Sequence, residues 1–140
     1  MTPAGAMDAI AAQISTVLCG TANPVIPNLQ VDGRVIPAAN ASPPCIDIYP
    51  SDPFTEATGF AKGMKDYFFD VRARVNLADN EAGQDLLLSM MDTQSSTSVE
   101  QAILSNTSLS GGGQIRSVEG PRWRPFGDLI GCFWTVRVTP

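Results

Sequence analysis

Arg122-Trp123-Arg124 is the stretch whose residue types most directly invite a chemical reading. Guanidinium groups interleaved with an aromatic ring are one way proteins grip single-stranded nucleic acid. Trp and Arg are also the residues enriched at protein–protein hot spots. In a chain of net charge −5, one such tripeptide reads first as a protein contact, then as local structure, and last as a nucleic-acid grip. The same charge argues against general duplex binding, which is driven by neutralising phosphates. Other constellations fail on their spacing. Gly111-Gly112-Gly113 is not followed by Gly-Lys-Ser/Thr, so it reads as a flexible turn and not as a phosphate loop. Asp79, Glu81 and Asp85 raise the question of calcium. An EF-hand loop counted from Asp79 needs glycine where Gln84 stands and an acid where Met90 stands. Serines crowd residues 95–110, but there is no histidine to activate one, and the only lysines, Lys62 and Lys65, fall in an expected loop. Histidine acid–base catalysis and histidine metal ligation are ruled out by composition. No catalytic set, no metal site and no cofactor is expected.

These side chains need a frame. At 140 residues the chain suits a single domain, 1–140, burying roughly two-thirds of its unfolded surface. The 44% hydrophobic and 16% charged fractions fit a globular protein with some surface committed to contacts. Cys19, Cys45 and Cys132 are odd in number, far apart and without a C-x-x-C, which reads as buried reduced thiols in a protein made in the cytoplasm. The first apolar run has no Lys or Arg before it, and no run reaches about 18 apolar residues, so neither export nor a membrane span is expected.

The stretch Asp66–Asp92 organises the rest. Phe69, Val71, Ala73, Val75 and Leu77 alternate with Phe68, Asp70, Arg72, Arg74 and Asn76, which predicts a long two-faced strand. Asp79 or Asn80 can cap a following helix, and Glu81 suits the positive end of its dipole. Ala82, Leu86, Leu87, Met90 and Met91 recur at helical spacing. One strand face and one helix stripe are therefore apolar, and each is the other's nearest partner. Upstream, Thr2-Pro3 predicts a helix start, with Met7, Ile10, Ile14, Val17 and Leu18 on its apolar stripe and Gly20 as its stop. Asp32-Gly33 between short apolar runs predicts a hairpin whose arms are 29–31 and 34–36. Cys45–Tyr49 reads as a strand pairing antiparallel with 67–77 across a long loop that carries Phe54, Phe60, Lys62 and Lys65.

Ser98 with Gln101 fits a capping box opening a short helix. Residues 115–119 read as a short strand, 120–127 as a rigid loop, and Leu129–Val138 as the last strand. In that last strand Ile130, Cys132, Trp134, Val136 and Val138 share one face. The order gives an α+β domain, helices on one face of a mostly antiparallel sheet. Val71, Val75, Leu86, Leu87, Ile103 and Trp134 are its expected common core. The other face carries Asp47, Tyr49, Asp70, Arg72, Arg74, Asn76, Thr135 and Arg137. Such a face is either simply solvated or meets a neighbouring copy. Arg72, Arg74 and Arg137 are expected to find acids, either Asp47 and Asp70 of the same chain or acids of an adjacent subunit.

The segments PPCIDIYPSDPF, YFFDVRARVNLADNEAGQDLLLSMMD, SVEQAIL and GCFWTVRV together resemble the tail terminator proteins of long-tailed phages infecting actinobacteria. The resemblance runs from Met7 to Pro140, and VRARV-x-x-ADNEAGQDLL is its most specific part. It implies an α+β subunit of a hexameric ring, located in the virion at the head–tail junction after assembly in the host cytoplasm. The implied partners are further copies of the chain, the major tail tube protein, a head–tail connector or neck protein, and the tape measure protein. DNA would pass through the lumen without specific binding. The family defines no catalytic motif, so no catalytic residue is carried over. The 50–66 and 105–128 loops, with Phe54, Phe60, Arg122, Trp123 and Arg124, are the candidate axial contacts. The alternatives are another neck or stopper protein, or a soluble α+β adaptor or enzyme subunit, since fold alone does not choose.

Overall fold

The alternation over residues 68–76 and the apolar stripe of the following segment become a strand and a helix in direct contact. A computed structural model of the protein describes residues 2–20, 25–33, 44–57, 65–76, 80–126 and 129–140. Helix α1 spans Pro3–Leu18, strand β1 Gln30–Asp32, β2 Cys45–Ala57, β3 Lys65–Asn76, helix α2 Asn80–Met91, α3 Val99–Leu104, β4 Gln114–Phe126 and β5 Leu129–Thr139. Among the described residues the five strands form one sheet in the order β1-β2-β3-β5-β4. β1 runs parallel to β2, and every other neighbouring pair is antiparallel. The α+β class is as expected.

The helix ends follow the local chemistry. Thr2 Oγ1 accepts from the Gly5 amide at 3.0 Å, and Pro3 occupies the first turn, where it sacrifices no bond. Ala6, Met7, Ile10, Ile14 and Leu18 form the buried stripe of α1, which ends at Leu18, two residues before Gly20. At α3 the capping box is one-sided. Ser98 Oγ accepts from the Gln101 amide at 3.2 Å, but the Gln101 side chain donates to the Thr93 carbonyl at 2.7 Å. The cap of α2 at Asp79, and the second hairpin arm at 34–36, lie outside the described residues.

Core residues come from both layers. Ile46 and Ile48 of β2, Phe69, Val71, Ala73 and Val75 of β3, and Cys132, Trp134, Val136 and Val138 of β5 face the helices and are buried. Leu87 and Met90 of α2 and Ile103 of α3 close over them, whereas Leu86 is only half-buried at the margin. The side-chain amide of Gln13 donates to the Ala102 and Ile103 carbonyls, tying α1 to the end of α3. α2 lies close on β3. A Cβ on Gly83 would stand 2.5 Å from the Asn76 carbonyl oxygen, so only glycine fits there.

Two segments read as loops are strand. β2 continues through Pro50 and Pro53 to Ala57, and a three-residue bulge between Pro50 and Thr55 absorbs the prolines. Phe54 consequently stacks on Tyr67, centroids 5.3 Å apart, and meets Phe69 edge-on. β4 is likewise continuous over residues 114–126. It tolerates Pro121 and Pro125 because it is the outermost strand, and its two bulges take up the irregularity. Leu109 is buried beneath the turn at Gly111 and Gly112, whose positive φ values of 96° and 101° suit glycine.

Candidate functional site

Alternation sends every second residue of the sheet away from the helices, and register then decides which of them meet. Across the middle of that outer face run Asp47, Arg72, Phe133 and Arg122 in one row. Tyr49, Asp70, Thr135 and Glu119 form the next. Cys45, Arg74, Gly131 and Arg124 form the row on the other side. The expected second face exists, and it is richer in arginine than the sequence reading had it.

Its centre is a shared carboxylate. Arg72 Nη2 donates to Asp47 Oδ2 at 3.1 Å and Arg74 Nη2 to the same oxygen at 2.7 Å. Asp47 is 1% exposed, and the two arginine side chains 14% and 11%. A carboxylate that deeply buried is tolerated only when paired and hydrogen-bonded. Arg72 also lies over the Tyr49 ring at 5.4 Å. Burial raises the Tyr49 hydroxyl above its ordinary value, and the nearby Asp70 carboxylate adds to the effect. Burial also raises the Cys45 thiol, against the opposing pull of Arg74. On the helix side, burial alone pushes Cys132 up to about 12. Both thiols are therefore protonated at neutral pH and are poor nucleophiles.

The expected partners need one correction, at Arg137. Asp70 accepts from Thr135 Oγ1 at 2.9 Å. Arg137 pairs with Asp66, Nε to Oδ2 at 2.5 Å, and lies over the Phe68 ring at 5.6 Å. Thr139 Oγ1 donates to the other oxygen of Asp66 at 2.8 Å and accepts from Arg116 Nε at 3.1 Å. Asp66 is 2% exposed, and the sequence reading missed it. Its parity with Phe68 and Asp70 was visible, but its pairing needs the β3–β5 register.

Arg122-Trp123-Arg124 is split by the sheet. Arg122 and Arg124 pair across from Phe133 and Gly131 on the arginine face, while Trp123 pairs with Cys132 on the helix face. The bulge between Glu119 and Arg122 sets this parity, and Gly120 there has φ 119°. The three side chains thus form no common stacking platform for a single strand. Arg124 instead lies 4.5 Å over the Phe133 ring. Trp123 is 64% exposed beside Leu88, which is 63% exposed. Together with Gln84, Leu87, Met91 and Ile130 they line an open cleft of about 280 Å³ between α2 and β4. A second cleft of about 320 Å³ lies between α1 and the 105–110 segment, lined by Gln13, Thr16 and several serines.

Phe54 belongs to the Tyr67–Phe69 aromatic cluster and not to an open loop tip, because the β2 bulge turns it inward. Phe60 and Lys62 lie outside the described residues. Among the described residues no group of three or more Cys, Asp or Glu is placed to hold a metal ion. Compared with known proteins, the chain matches no family model and no curated protein.

Proposed function

We propose that the protein is a tail terminator of a long-tailed phage, a structural subunit that closes into a ring of identical copies and caps the tail tube. By the resemblance the ring is a hexamer, seated on the last ring of tube protein and offering its other side to the neck. One observation carries the reading beyond resemblance: a small rigid domain with two chemically unlike broad surfaces, an arginine-bearing sheet face and a helix layer. A tube grows by stacking rings, each exposing a face complementary to the next. A subunit that ends the stack must match that face on one side and present a different one on the other. The resembling segments fall on β2, on β3 with α2, on α3 and on β5, the elements that make the rigid body.

The test is electron microscopy of tails assembled without the protein. Overlong tubes, or tubes without heads, are expected. Tails of normal length joined to heads would overturn the proposal.

A further inference from the structure

The helix layer of this subunit carries only acids, whereas the outer sheet face carries both signs with its exposed arginines gathered on β4. α1, α2 and α3 contain Asp8, Glu81, Asp85 and Glu100 and no lysine or arginine, and the exposed Asp92 follows α2 directly. On the opposite face of the sheet stand Arg72, Arg74, Arg122, Arg124 and Arg137, with Asp47, Asp66, Asp70 and Glu119 among them. The inner arginines are engaged by Asp47 and Asp66, but Arg122 and Arg124 are exposed at the β4 side.

We infer that the sheet face of one copy docks on the helix layer of the next, Arg122 and Arg124 meeting Glu81, Asp85 and Asp92. The inference rests on the reading of the protein as a ring subunit and names the contact that closes the ring. Glu81, Asp85 and Asp92 lie at helical spacing on the side of α2 away from the buried Leu87 and Met90. Leu88 and Trp123, both more than 60% exposed, supply an apolar centre beside this acidic stripe. The arginine face offers the counterpart, with the aromatic rings of Tyr49, Phe68 and Phe133 lying among its guanidinium groups. An apolar centre rich in Trp and aromatic residues with a charged rim is the usual anatomy of a specific contact.

Direction follows from the layers. The two surfaces lie on opposite sides of one rigid domain, so a contact between them repeats head to tail and closes into a ring when the rotation closes. A standard contact takes about 800 Å² from each partner, and a ring subunit makes two. The accessible surface of the chain, 7675 Å², accommodates both.

Charge reversal tests the contact on the full chain, with sedimentation velocity as the readout. Wild-type protein is expected to self-associate, and more weakly as salt rises, because the exposed charges are screened beyond about 8 Å at 0.15 M. R122E/R124E sets acids against acids at the contact and E81K/D85K sets lysines against arginines, so each alone should lose self-association by about tenfold or more. Mixed one to one, the two variants should co-assemble, since every contact in an alternating ring is again complementary. That rescue also shows both variants to be folded. Wild-type association in either variant, or no co-assembly on mixing, overturns the contact. Tail microscopy without the protein tests the terminator reading separately, so a ring held by some other surface would sink this inference and leave that reading standing.

Discussion

Two pairs of arginines occupy the same sheet face at the same i, i+2 spacing and do opposite jobs. Arg72 and Arg74 sit on β3, the central strand, where both guanidinium groups close on the buried Asp47. Arg122 and Arg124 sit on β4, the outermost strand, exposed to solvent. The inner pair is committed to the fold, because uncovering its carboxylate or its guanidiniums leaves an uncompensated charge in a poorly solvated place. The outer pair costs the monomer little and is open to another molecule. Residue type and spacing are identical, so depth in the sheet alone assigns the role.

The strongest way to break this contrast is at Asp47. Asp47→Asn keeps the shape but removes the carboxylate charge that both guanidinium groups share. Unfolding by urea should show a loss of about 3–5 kcal/mol, as when one partner of a buried ion pair is removed. A loss under about 1 kcal/mol would put the inner pair in the same class as the outer one.

A second test sharpens the contrast through pH. Cys132, on the helix side, is held protonated by burial up to about 12, from an ordinary value of 9.0. A thiol whose folded value lies above its unfolded one contributes stability that is complete below about 9 and is lost as pH rises toward 12. Cys45 and Tyr49 are raised as well and act in the same direction. The urea midpoint should therefore stay level to about pH 9 and then fall, and Cys132→Ala should fall less steeply over that interval. Equal slopes in the two proteins would count against burial as the cause.

The smallest effect belongs to the outer pair. Arg124→Ala removes a guanidinium stacked on Phe133 and should cost the monomer about 0.5–1 kcal/mol, measured in high salt. Arg122→Ala should lie within about 0.5 kcal/mol of wild type, as exposed substitutions usually do.

The β3 and β5 faces were legible because β3 separates apolar from polar residues from Phe69 to Asn76 and β5 keeps an unbroken core face at every second position from Ile130 to Val138, even with Phe133 on its other side. The start of α1 and the Ser98 cap were legible because capping is local. What escaped depended on pairing. At β4 the bulge between Glu119 and Arg122 adds one residue, so simple alternation from Glu119 would have put Trp123 on the arginine face. At β2 three extra residues carry the strand past Pro50 and Pro53 and redirect Phe54. Asp66 meets Arg137 only because of how β5 aligns with β3, which no local pattern encodes. Asp32-Gly33 predicts a hairpin whose second arm lies outside the described residues, and the parallel pairing of β1 with β2 is a long-range contact that turn residues do not specify.

The irregular outer strand has a consequence for how another chain would approach this border. A straight thirteen-residue border with open amide and carbonyl groups would invite another chain to add on as a further strand, without limit and hard to undo. β4 instead has two bulges, Pro121 and Pro125 without amide protons, and a glycine at φ 119° whose Cβ position stands 3.0 Å from the Phe133 carbonyl oxygen. Such a border is a poor template for fibrous growth. In the proposed ring, association at this border would be left to side chains, whose grip salt can loosen, so newly made subunits would sample contacts and part again before one arrangement is kept.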